Sequence, residues 1–478
     1  MVKIAVIGAG VVGALIAREA CKYEAEVHLF ERRSDVGWGI TKANSAIIHA
    51  GFHDTPGSVR ARFCQPGNQA FPALCEELDV PLAHCGGYVL AFTPQQKAEL
   101  EKLRYHGECN HVEGLVVHSP DEIHAREPNV SPDVRWGLWS PTVAITEPWA
   151  LSIAATENAV ENGLILHISE EVTGLRVDRA RVVEVETGRG AYAVDIVINA
   201  AGLFADRISA MAGVDFPELF PRRGEYILLD RRLRGFVNSV LFPAPTRKSK
   251  GILVLPTIDG GILLGPNAQD LKHDAKGRVD TTSSGLREVE KGARKLVPSL
   301  SFAQRVKTFA GLRPETVQRD FVVGTTHVQG FLQAAAMRSP GLTASASLAP
   351  WLIGELATAY TLERKASFQG RRKAIPKPSE LDEDRLHDLI QRDPRYGHVV
   401  CYCNEVTEGE IIEAIRRGAR SIDGVKFRTR AGFGRCQGGS CSARILQLLA
   451  RELGADTRDV PQNEPAAWIV SGKARDDG

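Results

Sequence analysis

The opening stretch KIAVIGAGVVGALIAREACKYEAEVHLFERR leaves little choice of fold. A short apolar run meets the glycine-rich turn Gly8-x-Gly10-x-x-Gly13, an alanine-rich helical stretch follows, and a second apolar run ends at the acid Glu31. This order predicts strand, helix and strand of an α/β, Rossmann-like domain. In such a unit the first glycine permits the tight turn, and the second lets the backbone approach a pyrophosphate. The third lets helix and strand pack closely, so that the helix N-terminus faces the anion. Glu31 stands where a carboxylate accepts both hydroxyls of an adenosine ribose. Glycines alone also serve ordinary turns; the flanking elements and the acid favour a nucleotide site, and the acid favours NAD or FAD over NADP.

The continuation, ERRSDVGWGITKANSAIIHAGFHDTPGSVRARFC, carries Thr41, Lys42, Asn44 and Ser45 and then the Ile-Ile-His-Ala-Gly run. It resembles the FAD-binding segment of the D-amino-acid oxidase-like superfamily, in particular its glycerol-3-phosphate and L-2-hydroxyglutarate dehydrogenase branches, and NSAIIHAGFH is closer to the second. DIVINAAGLFADRIS, FAGLRPET and AAAMRSPGLTASASLAPWLIGEL resemble later segments of the same superfamily. The resemblance covers about residues 1–365. It implies FAD held by Gly8, Gly10, Gly13, Glu31, Thr41, Asn44, Ser45, Ala201, Gly202, Gly341, Leu342 and Thr343, the last three at a helix N-terminus whose dipole favours an anionic reduced flavin.

Between these segments lie β-branched runs bounded by Gly, Pro and Asp, such as HCGGYVLAF, RRGEYILLDRR and GILVLPTIDGGILLGPNA. Residues 80–160 and 205–310 are therefore expected to form a mostly antiparallel sheet roofing the flavin. That makes the FAD domain discontinuous, as 1–80, 160–205 and 310–370. The substrate belongs between sheet and flavin. The resemblance places Arg313 at the position that faces the substrate's anionic group, where a guanidinium suits carboxylate or phosphate. His49 and His53 are the candidate bases for removing a hydroxyl proton, and the sequence does not choose between them. Glu225, Tyr226, Arg338 and the Arg247, Lys248, Lys250 loop are further candidates, each with a structural rival reading.

Charged, proline-containing residues 370–397 read as a linker, and 398–478 as a small helical domain. There Cys401-x-Cys403 and Cys436-x4-Cys441 gather four of the nine cysteines. Thiolates so grouped serve zinc or an iron–sulfur cluster. C-x-C followed by a glycine-flanked C-x4-C departs from zinc-ribbon C-x2-C spacing. The segment resembles the bacterioferritin-associated ferredoxin-like [2Fe-2S] domain, which implies a cluster on Cys401, Cys403, Cys436 and Cys441. The other five cysteines read as reduced thiols.

The net charge of +1 excludes a phosphate-lattice binder, so no nucleic acid is expected. The sequence has no apolar run of about 18 residues, and the first residues run straight into a strand, so a cytoplasmic protein without a membrane span is expected. A hydride acceptor and a one-electron carrier on one chain imply electrons leaving stepwise to a separate acceptor protein or partner subunit, in the resembling enzymes one linked to a membrane quinone. The leading expectation is FAD-dependent oxidation of a small anionic substrate, glycerol 3-phosphate. Oxidation of a 2-hydroxy acid such as L-2-hydroxyglutarate, oxidation of an amine or amino acid, and an electron-transfer module with a vestigial flavin site are the alternatives.

Overall fold

The computed structural model describes residues 1–245 and 251–472. The chain divides into one unit of residues 1–30 and 37–372 and a second of 31–36 and 373–478.

In the first unit the opening motif folds as its pattern requires. Strand Val2–Ile7, helix Val11–Ala20 and strand Ala25–Glu31 follow one another. Val2–Ile7 lies at the heart of a six-stranded sheet, parallel to Ala25–Glu31 on one side and to Ile196–Asn199 on the other. Phe331–Ala335 continues the parallel set, and Val322–Thr325 closes that edge antiparallel. All four residues of Ile196–Asn199 are buried, the signature of a strand covered on both faces. One cover is a three-stranded meander, Val172–Asp178, Arg181–Thr187 and Gly190–Ala193. Its Val172, Leu175, Val182 and Val185 share a core with Ala5, Ile7, Phe30 and Val197.

The expected roof is present as a nine-stranded mixed sheet drawn from residues 87–140 and 219–316. Its long ribbon pairs Leu219–Leu229 with Arg305–Thr316 antiparallel, whereas Val240–Pro243 runs parallel to Gly87–Ala91. Period-two alternation divides its faces. Tyr88, Leu90, Ile227, Leu229, Leu241, Ile262 and Leu264 pack with Val289, Ala293 and Leu296 of helix Ser283–Leu296. Phe242, next in sequence to Leu241, contacts His49 and His53 instead.

Two boundaries differ from expectation. Helix Pro148–Glu161, placed with the roof, packs instead on helix Val11–Ala20 and the glycine turn of the nucleotide part: Ser152 Oγ donates to the Ala9 carbonyl at 3.1 Å, and Arg18 Nε donates to Asn158 Oδ1 at 2.8 Å. Its small residues Ala154, Ala155 and Ala159 allow that close approach. The supposed linker is largely part of the second unit, where helix Glu383–Arg392 starts with Asp382 accepting from the Arg385 amide. Tyr396 is buried there, with Gly409 against its ring.

The second unit is helical, as expected, with one short antiparallel pair, Val399–Cys401 with Val406–Thr407. Helices Glu408–Arg416, Ile422–Thr429 and Ser442–Leu453 supply Ile411, Ile415, Val425, Ile445 and Leu449 to one core. Segment 31–36 is built into this unit: Arg428 forms an ion pair with Asp35, both side chains buried, its Nη2 donating to Asp35 Oδ1 at 3.0 Å.

Candidate active site and thiolate centre

Register brings the carboxyl ends of the parallel strands level, Ile7 beside both Phe30 and Asn199. Gly8 then turns at φ +104, a conformation that favours glycine, and a Cβ on it would stand 2.6 Å from the Ala200 carbonyl oxygen. A Cβ on Gly13 would stand 1.9 Å from the Gly8 carbonyl oxygen, so helix and turn touch only because both are glycine. Gly10 brings no side chain to the helix start, and Thr41 takes the Val11 amide, leaving the amides that follow for an anion. Glu31 ends the second strand and accepts from the Arg33 amide at 2.9 Å. A dinucleotide fits this bare backbone turn.

Other residues expected to hold the flavin hydrogen-bond locally around this turn. Thr41 Oγ1 accepts from the Val11 amide at 3.0 Å, and Asn44 closes its own turn by donating to the Thr41 carbonyl and accepting from the Ala46 amide. Among the described residues the half-buried Ser45 hydroxyl has no hydrogen bond. Ala201 and Gly202, the latter at φ +57, follow Asn199, whose buried amide donates to Ala205 O, Ser209 Oγ and Gln333 Oε1.

Helix Gly341–Ala359 begins at Gly341, Leu342 and Thr343 without a side-chain cap. Thr343 Oγ1 accepts from the His49 amide at 2.9 Å, and Ser339 Oγ lies 3.1 Å from His49 Nε2. The His49 and His53 rings are 6.4 Å apart, both against Phe242 of the roof. Both histidines, the helix start and the roof thus meet, and Ser339, whose hydroxyl lies on His49, was not singled out from sequence. Its signal was present in the Ser-Pro-Gly turn, but a serine there reads as an ordinary turn residue.

Arg313 lies on Arg305–Thr316, with Gly311 and Glu315 on the same face by strand period. A Cβ on Gly311 would stand 1.9 Å from the Ala43 carbonyl oxygen, which fixes this face against the 40s loop. Among the described residues no hydrogen bond or ion pair engages the half-buried Arg313 guanidinium. Its cross-strand neighbour Arg222 forms a two-pronged pair with Asp270 and meets Glu315 at 3.4 Å. Glu315 is fully buried, and its other oxygen lies 3.0 Å from Arg338 Nε. Burial lowers the Arg338 guanidinium to about 10; Glu315 opposes that shift, while Arg60, Arg313 and Arg222 add to it.

Three other candidates are scaffold or lie elsewhere. Glu225 caps helix Ser283–Leu296, accepting from the Thr282 amide at 2.7 Å and hydroxyl at 2.9 Å. Tyr226 stacks on Phe309 at 4.8 Å, and burial pushes its phenol up to about 12. A glutamate and a tyrosine in an apolar run gave no hint of the helix start and ring they serve. Arg247, Lys248 and Lys250 lie outside the described residues.

In the second unit the thiols influence one another in pairs: Cys441 lowers the Cys401 thiol, and Cys436 is lowered first by the Ser440 amide and also by Cys403. No three His, Cys, Asp or Glu side chains among the described residues surround one ion-sized point. Four thiols in so short a span, two of them buried, suit the all-thiolate ligand set of a [2Fe-2S] cluster. Cys401 titrates below the ordinary thiol range, first through its bond with Cys441 and also through the Gly432, Asn404 and Cys403 amides. Gly434 is required here, since a Cβ on it would lie 2.3 Å from Cys403 Cβ. Cys401 and Cys441 are buried; Cys436 is exposed.

Comparison with known proteins follows the same division. The family DAO, FAD dependent oxidoreductase, matches residues 3–354, and Fer2_BFD, the BFD-like [2Fe-2S] binding domain, matches residues 399–451. A glycerol 3-phosphate dehydrogenase of Caloramator mitchellensis is 40% identical over 479 residues, covering 99% of each chain. An L-2-hydroxyglutarate dehydrogenase of Escherichia coli is 30% identical over 268 residues, 55% of this chain and 63% of that protein. Among solved structures, dithionite-reduced L-alpha-glycerophosphate oxidase of Mycoplasma pneumoniae with FAD bound superposes with a TM-score of 0.73 at 27% identity, over 78% of this chain and 99% of that one.

Proposed function

For a chain that belongs to the FAD-dependent oxidoreductase family and carries a BFD-like [2Fe-2S] domain, we propose the oxidation of glycerol 3-phosphate to dihydroxyacetone phosphate, with electrons passed to a separate acceptor. The observation that carries the reading is the unengaged Arg313 guanidinium, on the strand face that also meets the 40s loop. A side chain with five donors and no hydrogen-bond or ion-pair partner among the described residues is suited to a dianionic phosphate. The relative matching nearly end to end supports the same substrate.

Bound FAD supplies a hydride acceptor, and the cluster a one-electron carrier. The chain's residues do the rest. Arg313 orients the phosphate and so fixes the carbinol carbon. His49 takes the hydroxyl proton at Nε2, directly or through the Ser339 hydroxyl on that nitrogen. Phe242 and the roof exclude water from the reacting carbon. Cys401, Cys403, Cys436 and Cys441 hold the cluster. The acceptor is a partner protein; among the described residues no helix is long and apolar enough to cross a membrane.

Anaerobic bleaching of the flavin in the cluster-reconstituted protein tests the reading. Glycerol 3-phosphate, L-2-hydroxyglutarate and L-proline are offered separately, and rapid bleaching by the phosphate ester is expected. Bleaching by the hydroxy acid or the amine alone would move the substrate assignment while keeping the flavin chemistry.

A further inference from the structure

Glu315 has no role in the chemistry above, yet it is fully buried and placed between two arginines. A carboxylate taken out of water at this depth requires compensating charge, and Arg222 and Arg338 provide it. The contacts, 3.4 and 3.0 Å, are charge contacts rather than aligned hydrogen bonds. Arg222 has a second carboxylate in Asp270, whereas Arg338 has, among the described residues, the Arg319 carbonyl as its other partner, at 3.2 Å from Nη1. Glu315 is therefore the carboxylate that keeps Arg338 in place against the repulsion of Arg60, Arg222 and Arg313.

The residue after Arg338 is Ser339, whose hydroxyl lies on His49 Nε2. Strand Arg305–Thr316 thus reaches the substrate in two ways: Arg313 through the anion, and Glu315, two residues on, through Arg338 and the Ser339 turn to the histidine. We propose that Glu315 is the positioning residue of the base, holding Arg338 so that Ser339 fixes the His49 ring. This rests on the reading of His49 as the base. It links the strand that grips the anion to the side chain that removes the proton.

Holoenzyme carrying Glu315→Gln, Ser339→Ala, or both is compared with the parent by stopped-flow flavin reduction, with flavin content measured first. Glu315→Gln is expected to retain FAD and to lower the limiting reduction rate on the order of tenfold, with the substrate dissociation constant changed less than about twofold. The double variant should be no slower than the slower single one, because both changes cut the same link. A raised dissociation constant with an unchanged limiting rate would assign Glu315 to the Arg313 anion site and overturn the proposal; so would multiplicative losses. Should Glu315→Gln fail to hold flavin, Arg338→Lys, which keeps the charge but shortens the fork, serves as the second variant, with the same rate loss expected and an unchanged rate overturning the link. The His49 ring NMR signal, assigned with His49→Asn, is followed without substrate in parallel. It should move in Glu315→Gln and in Arg338→Lys whatever the substrate is. An unmoved signal sinks the positioning role, whereas failure of glycerol 3-phosphate to bleach the parent flavin sinks only the substrate assignment.

Discussion

Around Gly8 and Gly13 the backbone leaves almost no room for side chains: Cβ atoms there would stand 2.6 and 1.9 Å from carbonyl oxygens, and the helix start beyond them is met by a side chain at the Val11 amide, from Thr41. Around His49 nearly everything is side chain. A hydroxyl from one turn, a threonine from a helix start and a phenylalanine from the roof meet there. The first site uses dipoles fixed by backbone geometry, which need only that nothing intrude. The second depends on groups whose positions are set by partners, and partners can be removed one at a time. Damage to the cradle should therefore be all-or-none, and damage to the base site graded.

The comparison breaks most visibly at Gly13→Ala. With no room for a methyl group beside the Gly8 carbonyl, this variant should purify without flavin and without activity; flavin retained at parent stoichiometry would show that the turn yields. His49→Asn should keep the flavin and lose roughly 10²- to 10⁴-fold in reduction rate, the span of a positioned general base. Near-parent rates would pass the role to His53. Arg313→Ala should raise the KM for glycerol 3-phosphate by roughly 10- to 100-fold through loss of a charge-assisted pair, with flavin content unchanged; an unaltered KM removes the anion assignment. Cys436→Ser should abolish the cluster's visible absorbance and spare flavin bleaching by substrate, since the thiolates take no part in the hydride step.

The smallest effect concerns the second unit alone. Burial raises the Glu410 carboxyl to about 7, while the Thr407 amide and hydroxyl, both donating to it, oppose the shift. Because the folded value lies above the ordinary one of 4.5, Glu410 favours the protonated folded state. Its contribution is complete below that ordinary value and is lost as pH rises through about 7. Glu410→Gln, whose amide oxygen can still accept from Thr407, should thus stabilise the second unit at pH 8 by at most about 3 kcal/mol, and little at pH 4. Thermal melts at the two pH values decide it; equal shifts at both would mean that ionisation is not the cause.

What could be read from sequence follows the same contrast between backbone and side chains. The cradle is local: strand, glycine turn, helix and acid lie in one continuous stretch, and each glycine has a steric reason visible at the level of the motif. The cluster of cysteines stood out for a similar reason, since two short spacings, Cys401-x-Cys403 and Cys436-x4-Cys441, gather all four. The base site was legible only in fragments. His49 and Arg313 appeared as candidates, but nothing in the sequence joined position 49 to 339 or 338 to 315, because those links are made by tertiary packing. Glu225 and Tyr226 misled for the complementary reason: a polar residue in an apolar strand looks functional until the helix it caps or the ring it stacks on is seen. Helix Pro148–Glu161 was assigned to the roof by position along the chain, although its small residues suited the close packing it makes with helix Val11–Ala20 and the glycine turn.

The ion pair of Asp35 with Arg428 joins residues 393 positions apart. At ribosomal rates of roughly 5–20 residues per second, one partner emerges about 20 to 80 s before the other. For that interval the nascent chain has an acid destined for burial and no arginine to meet it. The second unit cannot be completed as translation proceeds, however early its first six residues appear, because they must wait for almost the last of the chain. A message truncated upstream of position 428 would yield a polypeptide with the glycine turn, both candidate histidines and Arg313, but with segment 31–36 left without its buried partner.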